Sequence, residues 1–327
     1  MGPRPLNVVV RRRGPGQRPG RPLTGAPAGR PQPEMIAGGL PPTPEHDLQY
    51  HGGKTIRSLA FTNLYVGGAQ AWDPGIKQNI DTALAAAMSD AHLNNVIMQY
   101  FANQSITSSF TSSRVLPGAP PATVSQTDVE VLAGQLYARG QLSGFDLGAT
   151  VFDFMLPRGT ILTIDSSSSL QGLGGFHGSV HPPDGTTVYY AVGVFSEVLR
   201  DGRTNGIVAF DAPWKNVVAT FYHELNEART DPDVEDAIRA GNDPSADRFL
   251  GWVSPQGEEC GDFPIFESEP DLSLVMQEVP LTDGSGTVPV QFQYSDAVHG
   301  PEGPIPAPHA AGRSQNRSPK RRPKHRR

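Results

Sequence analysis

The sequence predicts an α/β or α+β single domain built on a mixed sheet, and three observations predict it. Through the middle of the chain, segments of strand character alternate with segments whose apolar residues recur at helical spacing. No internal repeat divides that middle part. Both ends lack apolar periodicity: residues 1–45 are dominated by Pro, Gly and Arg, and residues 301–327 return to the same character. Such ends bury too little apolar surface to offset the entropy of ordering and read as disordered tails. That leaves residues 46–300 as the folded domain.

In chain order, residues 55–66 read as a strand through Ile56, Leu59, Phe61 and Leu64-Tyr65-Val66, closed by Gly67-Gly68. Residues 81–101 read as one helix, with Ile80, Leu84, Ala87 and Met88 on a face and Val96, Met98 and Phe101 continuing it. A second helix opens at Gln126-Thr127-Asp128, where Thr127 or Asp128 would cap and Val129, Leu132, Leu136 and Tyr137 form the apolar face. Residues 150–156 are a buried-type strand stopped by Pro157-Arg158-Gly159, and residues 160–164 and 187–195 are further strands. Between the last two lies a Ser- and Gly-rich stretch, residues 166–178, that reads as a loop. A third helix starts at Ala212-Pro213, with Pro in its first turn, and ends before Pro232, because a residue preceding Pro avoids the α region.

Charge is strongly partitioned. The net charge of −6 covers seven Arg and one acid in residues 1–34 and eight Lys or Arg with no acid in residues 312–327, leaving 12 basic against 32 acidic residues between 35 and 311. Phosphate contacts need clustered Lys and Arg, so the acidic body is a poor nucleic-acid surface. The basic C-terminal tail suits contact with anionic surfaces, or simple solubilisation. No apolar run reaches the length of a membrane span, and no stretch near the start has the apolar core of a secretory signal, which makes the chain cytoplasmic by default. The single cysteine, Cys260, excludes an internal disulfide. Its acidic neighbours Glu258, Glu259 and Asp262 suppress a reactive thiolate, and the Ser166–Ser169 run lacks a G-x-S-x-G elbow.

The chemistry concentrates in His223-Glu224-Leu225-Asn226-Glu227 on the third helix. Residues four apart share a helix face, so His223 and Glu227 can point at one ion, for which an imidazole nitrogen and a carboxylate oxygen are suitable zinc ligands. Glu224 is then placed to take a proton from a water at that ion, the logic of the H-E-x-x-H metalloproteases with Glu replacing the second His. The same pair also reads as an i,i+4 hydrogen-bonded couple on a partly buried helix.

A wider set of residues follows in order. His223-Glu224-Leu225-Asn226-Glu227-Ala228-Arg229-Thr230-Asp231-Pro232 precedes Gly251-Trp252 and Glu258-Glu259-Cys260-Gly261-Asp262; upstream stand Gly175-Phe176-His177 and Asn63-Leu64-Tyr65-Val66-Gly67-Gly68 with Trp72. This resembles the H-E-[LI]-x-E-x-x-T-[DN]-P … W … E-I-[AG]-D signature of the plant phosphate-induced/EXORDIUM-like family and its bacterial and fungal relatives, over roughly residues 55–265. The chain departs from the plant proteins in having Gly174 and Phe263-Pro264 where they carry cysteines, and in lacking a visible export signal, although the family is typically exported. The resemblance implies a zincin-like motif helix and a metal site for which His223, Glu227, His177, Glu259 and Asp262 are the ligand candidates and Glu224 the base. Zn²⁺ is the ion this donor set suggests. Glu259 and Asp262 would bind the ion or orient His223 from outside it. Asp231 and Asp233 read as turn residues.

Three readings stay open at this point: a metal-dependent hydrolase acting on a peptide or similar amide; a non-catalytic extracellular or surface-associated binding protein holding a structural ion or a hydrogen-bonded core at the same residues; and an intracellular protein recruited by its basic tail.

Overall fold

The structure, a computed structural model, describes residues 36–241, 243 and 245–306. Most of each expected tail, residues 1–35 and 307–327, lies outside the described residues. The fold is nonetheless wider than residues 46–300. Ile36 bridges to Glu302, Ala37 N donates to Pro301 O, and the strand Gly300–Glu302 pairs with Gln293–Ser295. Main-chain pairing orders these flanks despite their Pro- and Gly-rich composition.

The expected α/β architecture with a mixed sheet is present. Its centre is a five-stranded sheet in the order Thr107–Val115, Ser58–Tyr65, Thr150–Met155, Val188–Gly193, Gly175–Val180. The first four run parallel, and Gly175–Val180 lies antiparallel at the edge. Along Thr150–Met155 the side chains alternate between two cores. Val151 and Met155 face one containing Ile80, Leu84, Phe221 and Leu225, while Phe152 and Phe154 face another containing Val129, Ala133 and Leu136. Helices therefore cover both faces, as a largely parallel sheet requires.

Local chemistry sets the helix limits. The expected helix over 81–101 is two helices, Pro74–Ser89 and Ala91–Ile97, followed by a short 3₁₀ turn. Asp90 is extended and its side chain accepts from His92 N and Leu93 N, so it caps a new helix rather than continuing the old one. In Gln126–Ala138 the cap is Ser125, two residues before Thr127 and three before Asp128, the expected caps, and Asp128 closes a capping box with it. The third helix, Pro213–Thr230, is hereafter the motif helix.

The motif helix is buried continuously from Asn216 to Thr230. One side lies on the sheet, where Phe221 and Leu225 contribute on the order of 2 kcal/mol each by burial. Its other side is covered by a hairpin of Met276–Pro280 and Thr287–Gln291 that the sequence did not announce. A helix buried all round is normally apolar; this one carries His223, Glu224, Asn226, Glu227 and Arg229 into the interior.

Two glycines make the close approach of helix to sheet possible. Gly175 and Gly193 are cross-strand partners. A Cβ on Gly193 would meet Phe221 Cε2 at 2.8 Å, and one on Gly175 would meet Glu224 Oε1 at 2.9 Å. Gly175 opens a strand, so the stretch 166–178 is not a continuous loop and His177 sits on the sheet edge.

Candidate metal centre

The six expected residues converge in the interior. His177, Glu224 and Glu227 are each 3% exposed, His223 is 6%, and Glu259 and Asp262 are 7%, so the site excludes bulk water. Three come from the motif helix, His177 from the edge strand, and Glu259 and Asp262 from the segment that opens the helix Asp262–Ser268.

The histidine tautomers follow from their outer partners. Gln291 Nε2 donates to Gly261 O at 2.6 Å, which turns its Oε1 to His223 Nδ1, 2.9 Å away. The His223 ring therefore donates from Nδ1 and presents Nε2 to Glu227 Oε2 at 3.0 Å and to Glu224 Oε1 at 3.9 Å. His177 Nε2 donates to the Asp231 carbonyl at 3.0 Å, leaving Nδ1 at 3.5 Å from Glu224 Oε2 and 3.9 Å from Glu227 Oε2. Each imidazole is held from behind by an acceptor and aims its other nitrogen at carboxylates, the arrangement that orients metal-binding histidines.

The loop is shaped to the same site. Gly261 N donates to Glu227 Oε1 at 3.0 Å and Glu259 N donates to Asp262 Oδ2 at 3.1 Å. A Cβ on Gly261 would meet His223 Cε1 at 2.7 Å and Glu227 Oε1 at 2.9 Å, so only glycine lets this backbone lie against the ring.

Two trios of donors, His223/Glu227/Asp262 and His177/Glu224/Glu227, each have their candidate ligand atoms within 4.8 Å of one another. Zinc bonds of about 2.1 Å in tetrahedral geometry put ligand atoms about 3.4 Å apart; the 3.0 to 3.9 Å separations between the histidine nitrogens and helix carboxylates bracket that spacing. The donor set thus fits a divalent cation. Glu259 belongs to neither trio; its Oε1 lies 3.5 Å from His177 Nε2, on the ring edge away from Glu224.

Counted with protons alone, the cluster is a network of mutually shifted groups. Burial works to lower both histidines, but it is outweighed: the hydrogen bond to Glu224 and the charge of Glu227 raise His177 to about 9, and the charges of Glu227 and Glu224 raise His223 to about 10. Burial likewise opposes ionisation of Glu227, yet His223 holds it below the ordinary carboxylate value. Burial, then the charge of Glu227, push Glu259 and Asp262 well up, and burial raises Glu224. A divalent cation would replace these protons and favour ionised carboxylates with neutral imidazoles.

Several participants were not legible beforehand. Gln291 has no motif signal, and Gly261 stands inside the Glu259–Asp262 match with nothing to show that it packs on the His223 ring. Asp153 had one: it is a lone acid in an apolar strand. It is fully buried, neither carboxylate oxygen has a hydrogen-bond partner, and burial followed by the charge of Glu224 pushes its carboxyl well up. It shares a transverse row with Asn63, Ala191 and His177. Asp231 is a turn residue as expected, its Oδ1 accepting from Gly251 N at 2.8 Å while its carbonyl anchors His177. Cys260 is buried, and burial ahead of the Glu227 charge raises its thiol, so the expected suppression holds with burial as the leading cause.

A third trio, His181, Asp233 and Asp236, is more exposed and is tied by Ser179 Oγ to Asp233 at 3.0 Å and by His181 Nε2 to Asp236 at 2.7 Å. A cavity of about 360 Å³ beside it is lined by Tyr137, Val180, His181 and Pro182, not by the motif residues. Among the described residues, no helix is long and apolar enough to cross a membrane. No family model matches the chain, and neither a curated protein nor a solved structure matches it.

Proposed function

We propose that the protein is a zincin-like metal-binding protein that acts as a metal-dependent hydrolase on peptides or related amides, with Zn²⁺ as the ion. The observation that carries this reading is the pair of imidazoles, each tied from behind and aimed at buried helix carboxylates. The resemblance of the motif helix and of Gly175-Phe176-His177 to the EXORDIUM-like family supports it.

His223, Glu227 and Asp262 would hold the ion, which when bound supplies Lewis acidity and lowers the pKa of water. Glu224 supplies the base: it is dehydrated, adjacent to the ligands, and has Oε1 turned toward the His223 side. Gln291 and the Asp231 carbonyl hold the imidazoles in the tautomers that bind metal.

Metal analysis of the purified full chain tests the reading. Zinc should co-purify and be lost from the His223 site in both His223→Ala and Glu227→Ala. In Glu224→Gln the ion at His223 should stay while turnover of a peptide library disappears. The near-complete burial of the six side chains favours a second reading, a structural ion in a non-catalytic binding protein. That reading takes over if Glu224→Gln and wild type are equally inert while both keep the ion. A chain that binds no metal removes both.

A further inference from the structure

Resting on the metal-binding reading, we propose that the centre takes two divalent cations that share Glu227, one at His223, Glu227 and Asp262 and the other at His177, Glu224 and Glu227. The first argument is distance. Among the described residues, no grouping of candidate ligand atoms within 4.8 Å contains both histidines. Ligands of one ion with bonds of about 2.1 Å lie at most about 4.2 Å apart, so one ion does not reach both rings. Glu227 Oε2 faces both, at 3.0 Å from His223 Nε2 and 3.9 Å from His177 Nδ1. Glu224 turns Oε2 to His177 at 3.5 Å and leaves Oε1 on the His223 side at 3.9 Å, so it can bind through one oxygen and keep the other as proton acceptor.

The second argument is charge. Glu224, Glu227, Glu259 and Asp262 are four buried carboxylates; among the described residues the ion-pair partners of the first three are histidines, not Lys or Arg, and Asp262 accepts from Glu259 N. With neutral imidazoles, two divalent cations balance four ionised carboxylates, whereas one leaves two carboxyls that must stay protonated in the dry interior. The third argument is where uncompensated acid lies. Glu259 Oε1 and both oxygens of Asp153 are buried without hydrogen-bond partners. Glu259 flanks His177 at 3.5 Å, and Asp153 shares the transverse sheet row of His177 and feels the charge of Glu224. Both lie at the His177 half, the part a mononuclear reading leaves without a cation. Mixed imidazole and carboxylate donors suit first-row divalent ions such as Zn²⁺ and Mn²⁺, and paired ions in hydrolytic sites stand about 3.5–4 Å apart.

The test is titration of chelator-stripped full chain with Mn²⁺, read by bound metal per chain and by electron paramagnetic resonance. Two equivalents are expected, the second converting the signal of an isolated ion into that of an exchange-coupled pair. His177→Ala and His223→Ala should each retain one equivalent with an uncoupled signal. Because a variant can fail to fold, the wild-type stoichiometry and coupling carry the result independently. One uncoupled equivalent in the wild type, lost in His223→Ala and unchanged in His177→Ala, overturns the pair and leaves the proposed function standing. Absence of binding overturns both.

Discussion

His223 and Gln291 stand 68 residues apart and meet through a 2.9 Å hydrogen bond from Nδ1 to Oε1. Gln291 is itself fixed by its 2.6 Å bond to Gly261 O, so the ring, the amide and the loop orient one another. Outer partners of this kind typically contribute about 10- to 100-fold to metal affinity. Gln291→Met, which keeps the volume and loses the acceptor, should weaken Zn²⁺ binding by that order in a competition titration with a fluorescent chelator. An affinity within twofold of wild type would show that the bond does not orient the ring.

Gly261 lies against the same ring. Gly261→Ala places a methyl 2.7 Å from His223 Cε1 and 2.9 Å from Glu227 Oε1. The ring or the loop must move, and overpacking of this kind costs roughly 1–3 kcal/mol. Urea unfolding should show the loss, together with weaker metal binding. A neutral substitution would mean that the loop relaxes without disturbing the ring.

Away from the centre, Asp296 offers a pH signature. Burial, with the charge of Asp47, raises its carboxyl from 3.8 to about 7 although it accepts from Leu48 N at 2.9 Å. The folded state thus binds a proton more tightly than the unfolded state. The associated stability is fully present below about pH 4 and is lost as pH rises through about 7. Asp296→Asn keeps an acceptor and removes the ionisation, so it should stabilise the protein by roughly 1–3 kcal/mol at pH 8 and have little effect at pH 4. Parallel melting curves for the two proteins across that range would refute the assignment.

Arg229 is fully buried near the end of the motif helix, and burial lowers its pKa to about 10. Its Nη2 donates to Thr107 O at 3.0 Å and to Ser108 Oγ, while Nε and Nη1 have no hydrogen-bond partner. Desolvation of so poorly matched a charge offsets most of what those bonds contribute. Arg229→Met should therefore lie within about 1 kcal/mol of wild type in denaturant unfolding, whereas Arg229→Ala should cost roughly 3 kcal/mol through the cavity it opens. Equal losses in both would assign the stabilisation to the charge.

The strands that escaped the sequence reading did so for physical reasons. Thr107–Val115 is a mostly exposed edge strand, so nothing demands apolar alternation from it and its Ser and Thr residues mimic a loop. Gly175–Val180 reads as a turn because of glycines whose task is to admit Glu224, Thr220 and Tyr190 at close range, a requirement visible only once the helix is on the sheet. Asp90 divides a helix through a cap that competes with an otherwise continuous apolar pattern.

By itself the sequence determined the motif helix, its start at Pro213, its stop before Pro232, and the placement of His223 and Glu227 on one face. These follow from helical periodicity and from proline's effect on its own and the preceding residue, which are local properties. The mixed sheet was legible for the same reason. Only the tertiary structure decided that His177 stands opposite Glu224, that Gln291 and the Asp231 carbonyl select the tautomers, and that a hairpin and an edge strand seal the site from both sides. Those relationships join residues tens of positions apart, and burial is what gives them their electrostatic strength. A five-residue pattern on a helix is therefore enough to nominate a metal centre, while its ligand count is set by the elements packed around it.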